Sequence, residues 1–203
     1  MVAVIDYDAG NIKSVEKAVE SLGFETVLIR DRDILLNADH VILPGVGAFG
    51  DAMKLLNSYG LTEVIREVAA RQIPLLGICL GQQLLFEMSE ESPGVEGIGL
   101  FKGSVLRIPS GNGLKVPNIG WNSVNLKGKG RLFEGIEDGS FVYFVHSFYC
   151  KAEDRDIVKA EIDYNVTVDA SIEKGNVFAC QFHPEKSSDT GLRILKNFLT
   201  ISK

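Results

Sequence analysis

Apolar residues along this chain fall into two periods. "VAVID" (2–6), "ETVLI" (25–29), "HVILP" (40–44) and the run Leu75–Ile78 are short and continuously apolar, as strands buried on both faces are. Between them, Ile12, Val15, Val19 and Leu22 recur at helical spacing in "NIKSVEKAVESL" (11–22). "GDAMKLLN" (50–57), "LTEVIREVAARQ" (61–72) and the text from Gln82 to Glu87 also read as helical. This alternation predicts a parallel sheet covered on both faces, with ligands at the carboxyl ends of its strands. The second half reads differently. "GSVLRI", "IGWNSVNL", "SFVYFVHSFY", "DIVKAEI", "VTVDASIE" and "NVFACQF" are successive strand-like segments separated by Gly, Asn and Asp turns, and an amphipathic helix, "TGLRILKNFL", follows. No linker or repeat divides the halves. The expectation is one α/β domain over 1–203, a mixed, mostly parallel central sheet flanked by helices, with an antiparallel extension in the second half.

Composition narrows the function classes. A chain of 203 residues can bury roughly 70% of its unfolded surface in one domain. Its net charge of -6 argues against nucleic acid as a primary partner. No apolar stretch is long enough for a bilayer, and "MVAVIDYD" reaches aspartate too early for a secretory signal. Three cysteines, Cys79, Cys150 and Cys180, give an odd count without metal-like pairing, which suits reduced thiols in a cytoplasm. Neither a metal nor a cofactor is expected. "KGKGR" (127–131) lacks P-loop spacing and reads as solvated surface.

One thiol stands apart. Cys79 lies between the strand-like run and the helical one, flanked by Gly77 and Gly81. Strand, cramped turn and helix make the pattern of a nucleophile elbow, with sulfur in place of the serine oxygen. Such a turn lifts the side chain to the mouth of a cleft and places it at a helix N-terminus, where thiolate is favoured. The N–H of Leu80 would then point to where an oxyanion forms. Cys150 and Cys180 lack flanking glycines and read as small buried hydrophobes. A base is sought among three histidines. His40 reads as structural, and His146 sits in an aromatic strand. His183, in "CQFHPE", ends a strand before Pro184; continued extension would put Glu185 on its side, ready to orient the imidazole.

The elbow "GICLGQQ" and the distant "QFHPE" resemble the glutaminase domain of class I, triad-type glutamine amidotransferases, whose fold is flavodoxin-like. "IDYDAGN" (5–11), "PGVGAFG" (44–50), "IGWN" (119–122) and "HPEKSS" (183–188) resemble one branch of that family, the glutaminase subunits of imidazole glycerol phosphate synthases. Asp8 and Asn118 depart from its usual pattern. The resemblance implies a Cys79–His183–Glu185 triad that hydrolyses glutamine, with an oxyanion hole from Leu80 and the Val46–Gly47 peptide. It places substrate contacts at Gly45, Gln83, His146, Ser147 and Phe148. It also implies that ammonia passes to a cyclase subunit with a (β/α)8 barrel as heterodimer partner, contacted by Asn11, Trp121, Tyr143 and Lys186. A stand-alone cysteine amidase or peptidase shares the elbow but has no need of Gln83 or the "PGVG" loop. A non-enzymatic receiver-like module would need an aspartate where this chain has Pro44.

Overall fold

The computed structural model describes residues 1–8, 12–111 and 113–202. The first half builds β1 (Val2–Ile5), α1 (Ile12–Ser21), β2 (Thr26–Ile29), α2 (Arg32–Asn37), β3 (His40–Leu43), α3 (Phe49–Ser58), α4 (Leu61–Ala70), β4 (Leu75–Ile78) and α5 (Leu80–Leu84). The second half adds β5 (Met88–Ser89), β6 (Gly103–Arg107), β7 (Asn118–Ser123), β8 (Asn125–Leu126), β9 (Phe141–His146), β10 (Phe148–Ala152), β11 (Val158–Tyr164), β12 (Val166–Lys174), β13 (Val177–Cys180) and α6 (Ser188–Leu199).

The central sheet runs in the order β2-β1-β3-β4-β13-β12-β11-β8. Its first five strands are parallel; β12, β11 and β8 continue it antiparallel. Strands β1, β3, β4 and β13 are buried throughout, as their unbroken apolar runs require. Two core clusters form, one on each face. Val15, Val19, Ile194 and Phe198 of α1 and α6 pack into one. Phe49, Leu56, Ile65 and Val68 of α3 and α4 pack into the other. No helix among the described residues is long and apolar enough to cross a membrane.

Three expectations change. The helix α2 was not legible as one: its six residues bury only Leu35 and Leu36, and it is started by Asp31, whose carboxylate accepts from the N–H groups of Asp33 and Ile34. "SFVYFVHSFY" is two strands broken at Ser147, because β9 pairs with β7 in a two-stranded ribbon while β10 pairs with β6. Extension also stops at His183, since Pro184–Lys186 is a single 3-10 turn with Pro at its start. Asp8, in the left-handed region at φ 63°, is held by Arg30 and Tyr59, and these hydrogen bonds lower its pKa.

Candidate active site

The carboxyl ends of β4 and β13 lie side by side, with Cys180 paired to Ile78. Cys79 leaves β4 at φ 56°, ψ −110°, a conformation that L residues rarely adopt. Packing and hydrogen bonds hold it there. Its N–H donates to the Cys180 carbonyl at 2.8 Å, and its own carbonyl accepts from Gln82 and Gln83 N–H. The flanking glycines are steric necessities: a Cβ at Gly81 would lie 2.0 Å from the Leu43 carbonyl oxygen, and one at Gly77 would lie 2.8 Å from that of Gly81.

His183 is brought to the same cleft by the exit of β13. Its N–H donates to Tyr143 O, and Ser187 Oγ donates to its carbonyl while accepting from Tyr143 N–H. Nδ1 lies 2.8 Å from Glu185 Oε1. The pair thus forms through the 3-10 turn, which folds Glu185 back, and not through continued extension. Nε2 has no partner of hydrogen-bonding geometry. Burial alone would push this imidazole down, but Cys79 and Glu185 outweigh it and raise it to about 9.

Cys79 and His183 face a cleft of about 360 Å³, lined also by Val46, Gly47, Leu80, Gln83, His146, Ser147 and Phe148. Gly45, expected to contact substrate, is not among the residues that line it. Its carbonyl accepts the Leu80 N–H at 3.3 Å, so the donor expected to face an oxyanion is turned to the loop in this structure. Gly47 sits at φ 97° with open space around it. The far end of the loop is tied down by Glu91 Oε2 and Ser92 Oγ, which accept from Phe49 and Gly50 N–H.

The model of the family "Glutamine amidotransferase class-I" matches residues 3–201. The chain is 47% identical to imidazole glycerol phosphate synthase subunit HisH of Caldanaerobacter subterraneus subsp. tengcongensis, covering 98% of this chain and 97% of that one. It is 50% identical to the subunit HisH of Moorella thermoacetica, covering 97% and 93%. The chain belongs to the class I glutamine amidotransferases, in the HisH branch.

Solved structures agree on the fold of this amidotransferase. The match to PurLQS of Thermotoga maritima has a TM-score of 0.75 at 24% identity and covers 98% and 96% of the two chains. The glutaminase domain of Trypanosoma brucei CTPS gives 0.70 at 16%, covering 100% and 94%.

The remaining residues named from sequence are placed as follows. Gln83 Nε2 donates to Phe148 O and to Gln181 Oε1, both at 3.1 Å. His146 is buried and neutral, its pKa pushed down to about 4 mainly by that burial. Nδ1 bonds Phe148 O, and Nε2 meets the Asn118 amide opposite it in the β7–β9 ribbon. His146 is thus wall, not base. His40 bonds Ile201 O and packs edge-on to Phe198, as a structural histidine would. Trp121 and Tyr143 pair across the ribbon, Trp121 half exposed at 51%, and Lys186 is exposed. Asn11 lies outside the described residues. The sequence reading missed Glu91, Pro117 and Val145, which also line the cleft. It missed Gln181, a buried amide whose side chain reaches Cys79. It also missed Ile119 and Phe141, which extend the exposed apolar strip on the ribbon. Alternation along β7 and β9 carries a signal for that strip; nothing local marks Glu91.

Proposed function

We propose that residues 1–203 act as one domain, the glutaminase subunit of an imidazole glycerol phosphate synthase in histidine biosynthesis, working in the cytoplasm. Glutamine binds in the cleft against Gln83 and the Ser147–Phe148 wall. The Cys79 thiolate attacks the side-chain carboxamide carbon, and the carbonyl electrons move to oxygen. Collapse of that intermediate breaks the C–N bond as His183 delivers a proton to the departing ammonia. His183 then takes a proton from water, which attacks the glutamyl thioester and releases glutamate and the thiol. Glu185 holds the ring through Nδ1 and stabilises the imidazolium.

The oxyanion hole needs the Leu80 N–H and a second donor from the Val46–Gly47 peptide. With Leu80 N–H turned to Gly45 O, that hole is incomplete. Glycine tolerates both signs of φ and the space around Gly47 is open, so reorientation of the Val46–Gly47 peptide costs little. Binding of a loaded cyclase subunit selects the completed hole and couples hydrolysis to ammonia use. The partner is a (β/α)8-barrel cyclase, which spends the ammonia on a ribonucleotide to give imidazole glycerol phosphate and aminoimidazole carboxamide ribotide. The Trp121–Tyr143 strip, with Ile119, Phe141 and Lys186 near it, is the face offered to that partner; Asn11 is a further partner contact that the family resemblance implies.

The observation that carries the reading is the strained Cys79 elbow and the His183–Glu185 pair in one cleft. Its test is glutamate release by the chain reconstituted with cyclase and its ribonucleotide substrate, beside Cys79→Ala. Loss of nearly all stimulated release in the variant is expected; retained release would refute the assignment.

A further inference from the structure

Two polar neighbours of the Cys79 sulfur lie outside the triad. The Val145 carbonyl oxygen, at 3.9 Å, can accept the thiol proton. The side-chain amide nitrogen of Gln181, at 3.8 Å, donates to sulfur. Gln181 follows β13 two residues before His183 and is fully buried.

The direction of that amide is fixed by its surroundings. Phe148 O can only accept, so the Gln83 group 3.1 Å from it is the amide nitrogen. The same nitrogen meets Gln181 at 3.1 Å, so the atom of Gln181 facing it is oxygen. The NH2 end of Gln181 is left for the sulfur. Phe148 O is itself held by His146 Nδ1, 2.9 Å away. The chain of hydrogen bonds therefore starts at a fixed backbone carbonyl and ends on the nucleophile.

Resting on the reading of Cys79 as nucleophile, we propose that Gln181 is a further catalytic residue, a neutral donor that stabilises the thiolate and aims it at the carboxamide, and that Gln83 positions it. Beside the His183 imidazolium, such a donor adds what the local backbone does not supply. Helix α5 has only five residues and a correspondingly small dipole, and the Val145 carbonyl oxygen beside the sulfur is an acceptor, which favours thiol over thiolate. The titratable groups around the sulfur are His183 with Glu185, His146 on β9, Tyr7 just after β1, and the thiols Cys150 on β10 and Cys180 on β13, with Glu91 on the same cleft. Burial raises Tyr7, Cys150 and Cys180. A change at Gln181 leaves each of them in place.

The test uses Gln181→Met, which keeps the length without the donor, and Gln181→Glu, which differs by one atom and preserves the packing shape. Alkylation of Cys79 by iodoacetamide is followed against pH, and glutamine hydrolysis is measured in the reconstituted complex. The alkylation profile of Gln181→Met should move about one pH unit upward, the worth of a hydrogen bond to an ion, and that of Gln181→Glu further. The hydrolysis kcat should fall about tenfold with KM nearly unchanged, since the donor acts on sulfur and not on bound glutamine. Folded variants with wild-type alkylation profiles would overturn the role of Gln181, even with hydrolysis still dependent on Cys79. Hydrolysis that survives complete alkylation of Cys79 would overturn the nucleophile assignment and this inference with it.

Discussion

Two walls of one cleft are built on opposite principles. At the elbow, Gly77 and Gly81 leave no room for a single added carbon, and Cys79 is held in a rare conformation by β13 and α5. At the loop from Pro44 to Gly50, the middle is open: nothing lies near a Cβ on Gly47, and Val46 is 41% exposed. It is fastened by Tyr7 on Pro44 O, by the Leu80 N–H on Gly45 O, and by Glu91 and Ser92 at the start of α3. Both segments are rich in glycine, but they use it differently: Gly77 and Gly81 serve close packing, whereas in the loop Gly45 and Gly50 are also closely packed and Gly47 alone has open space in which to turn. On the proposed reading the nucleophile is preset, and control is left to the part of the oxyanion hole that can turn.

That contrast can be broken at either wall. Gly47→Pro removes the loop's N–H and its access to positive φ together. It should cost about 10² to 10³ in partner-stimulated glutamate release, the worth of an oxyanion donor, and lower the melting temperature as well, because proline cannot adopt the φ of 97° that Gly47 holds. Full stimulation in this variant would assign the control elsewhere. Gly81→Ala should do the reverse and act on folding first. Its Cβ must displace the Leu43 backbone, costing about 3 kcal/mol or more, read by urea unfolding. A near-neutral result there would mean that the elbow is not jammed.

The two buried histidines sharpen the same comparison through pH. His183 is raised to about 9, so its contribution to stability is complete below an ordinary histidine value near 6.5 and is lost as pH rises through about 9. His146 is lowered to about 4, so its contribution is complete above about 6.5 and is lost as pH falls toward 4. Together they predict a stability maximum near pH 6.5, with slopes of about 1.4 kcal/mol per pH unit on each side. His183→Gln should remove the alkaline slope alone, as measured by unfolding across a pH series. The smallest effect is expected outside the cleft. Trp121→Ala should leave stability nearly unchanged, because the ring is half exposed, but weaken cyclase binding by about 2 kcal/mol in calorimetry.

The elbow was readable because its information is local: an apolar strand, a thiol between two glycines and helical text within a dozen residues. The His183–Glu185 pair was readable for an incomplete reason. Two residues on one side of an extended chain would meet, whereas here a proline-started turn brings them together. The break at Ser147 was hidden, since an aromatic run does not say that its halves join different sheets. Gln181 was hidden more deeply. Its meaning lies in which end of an amide faces sulfur, and that is set by Phe148 and Gln83, far away in the chain.

The central claim is that a preset nucleophile waits on a loop. Its most direct test is glutamate release by the wild-type chain alone, with cyclase, and with cyclase bearing its ribonucleotide. Near silence alone and strong stimulation only with the loaded partner are predicted. Full activity of the isolated chain, unchanged by either addition, would contradict it.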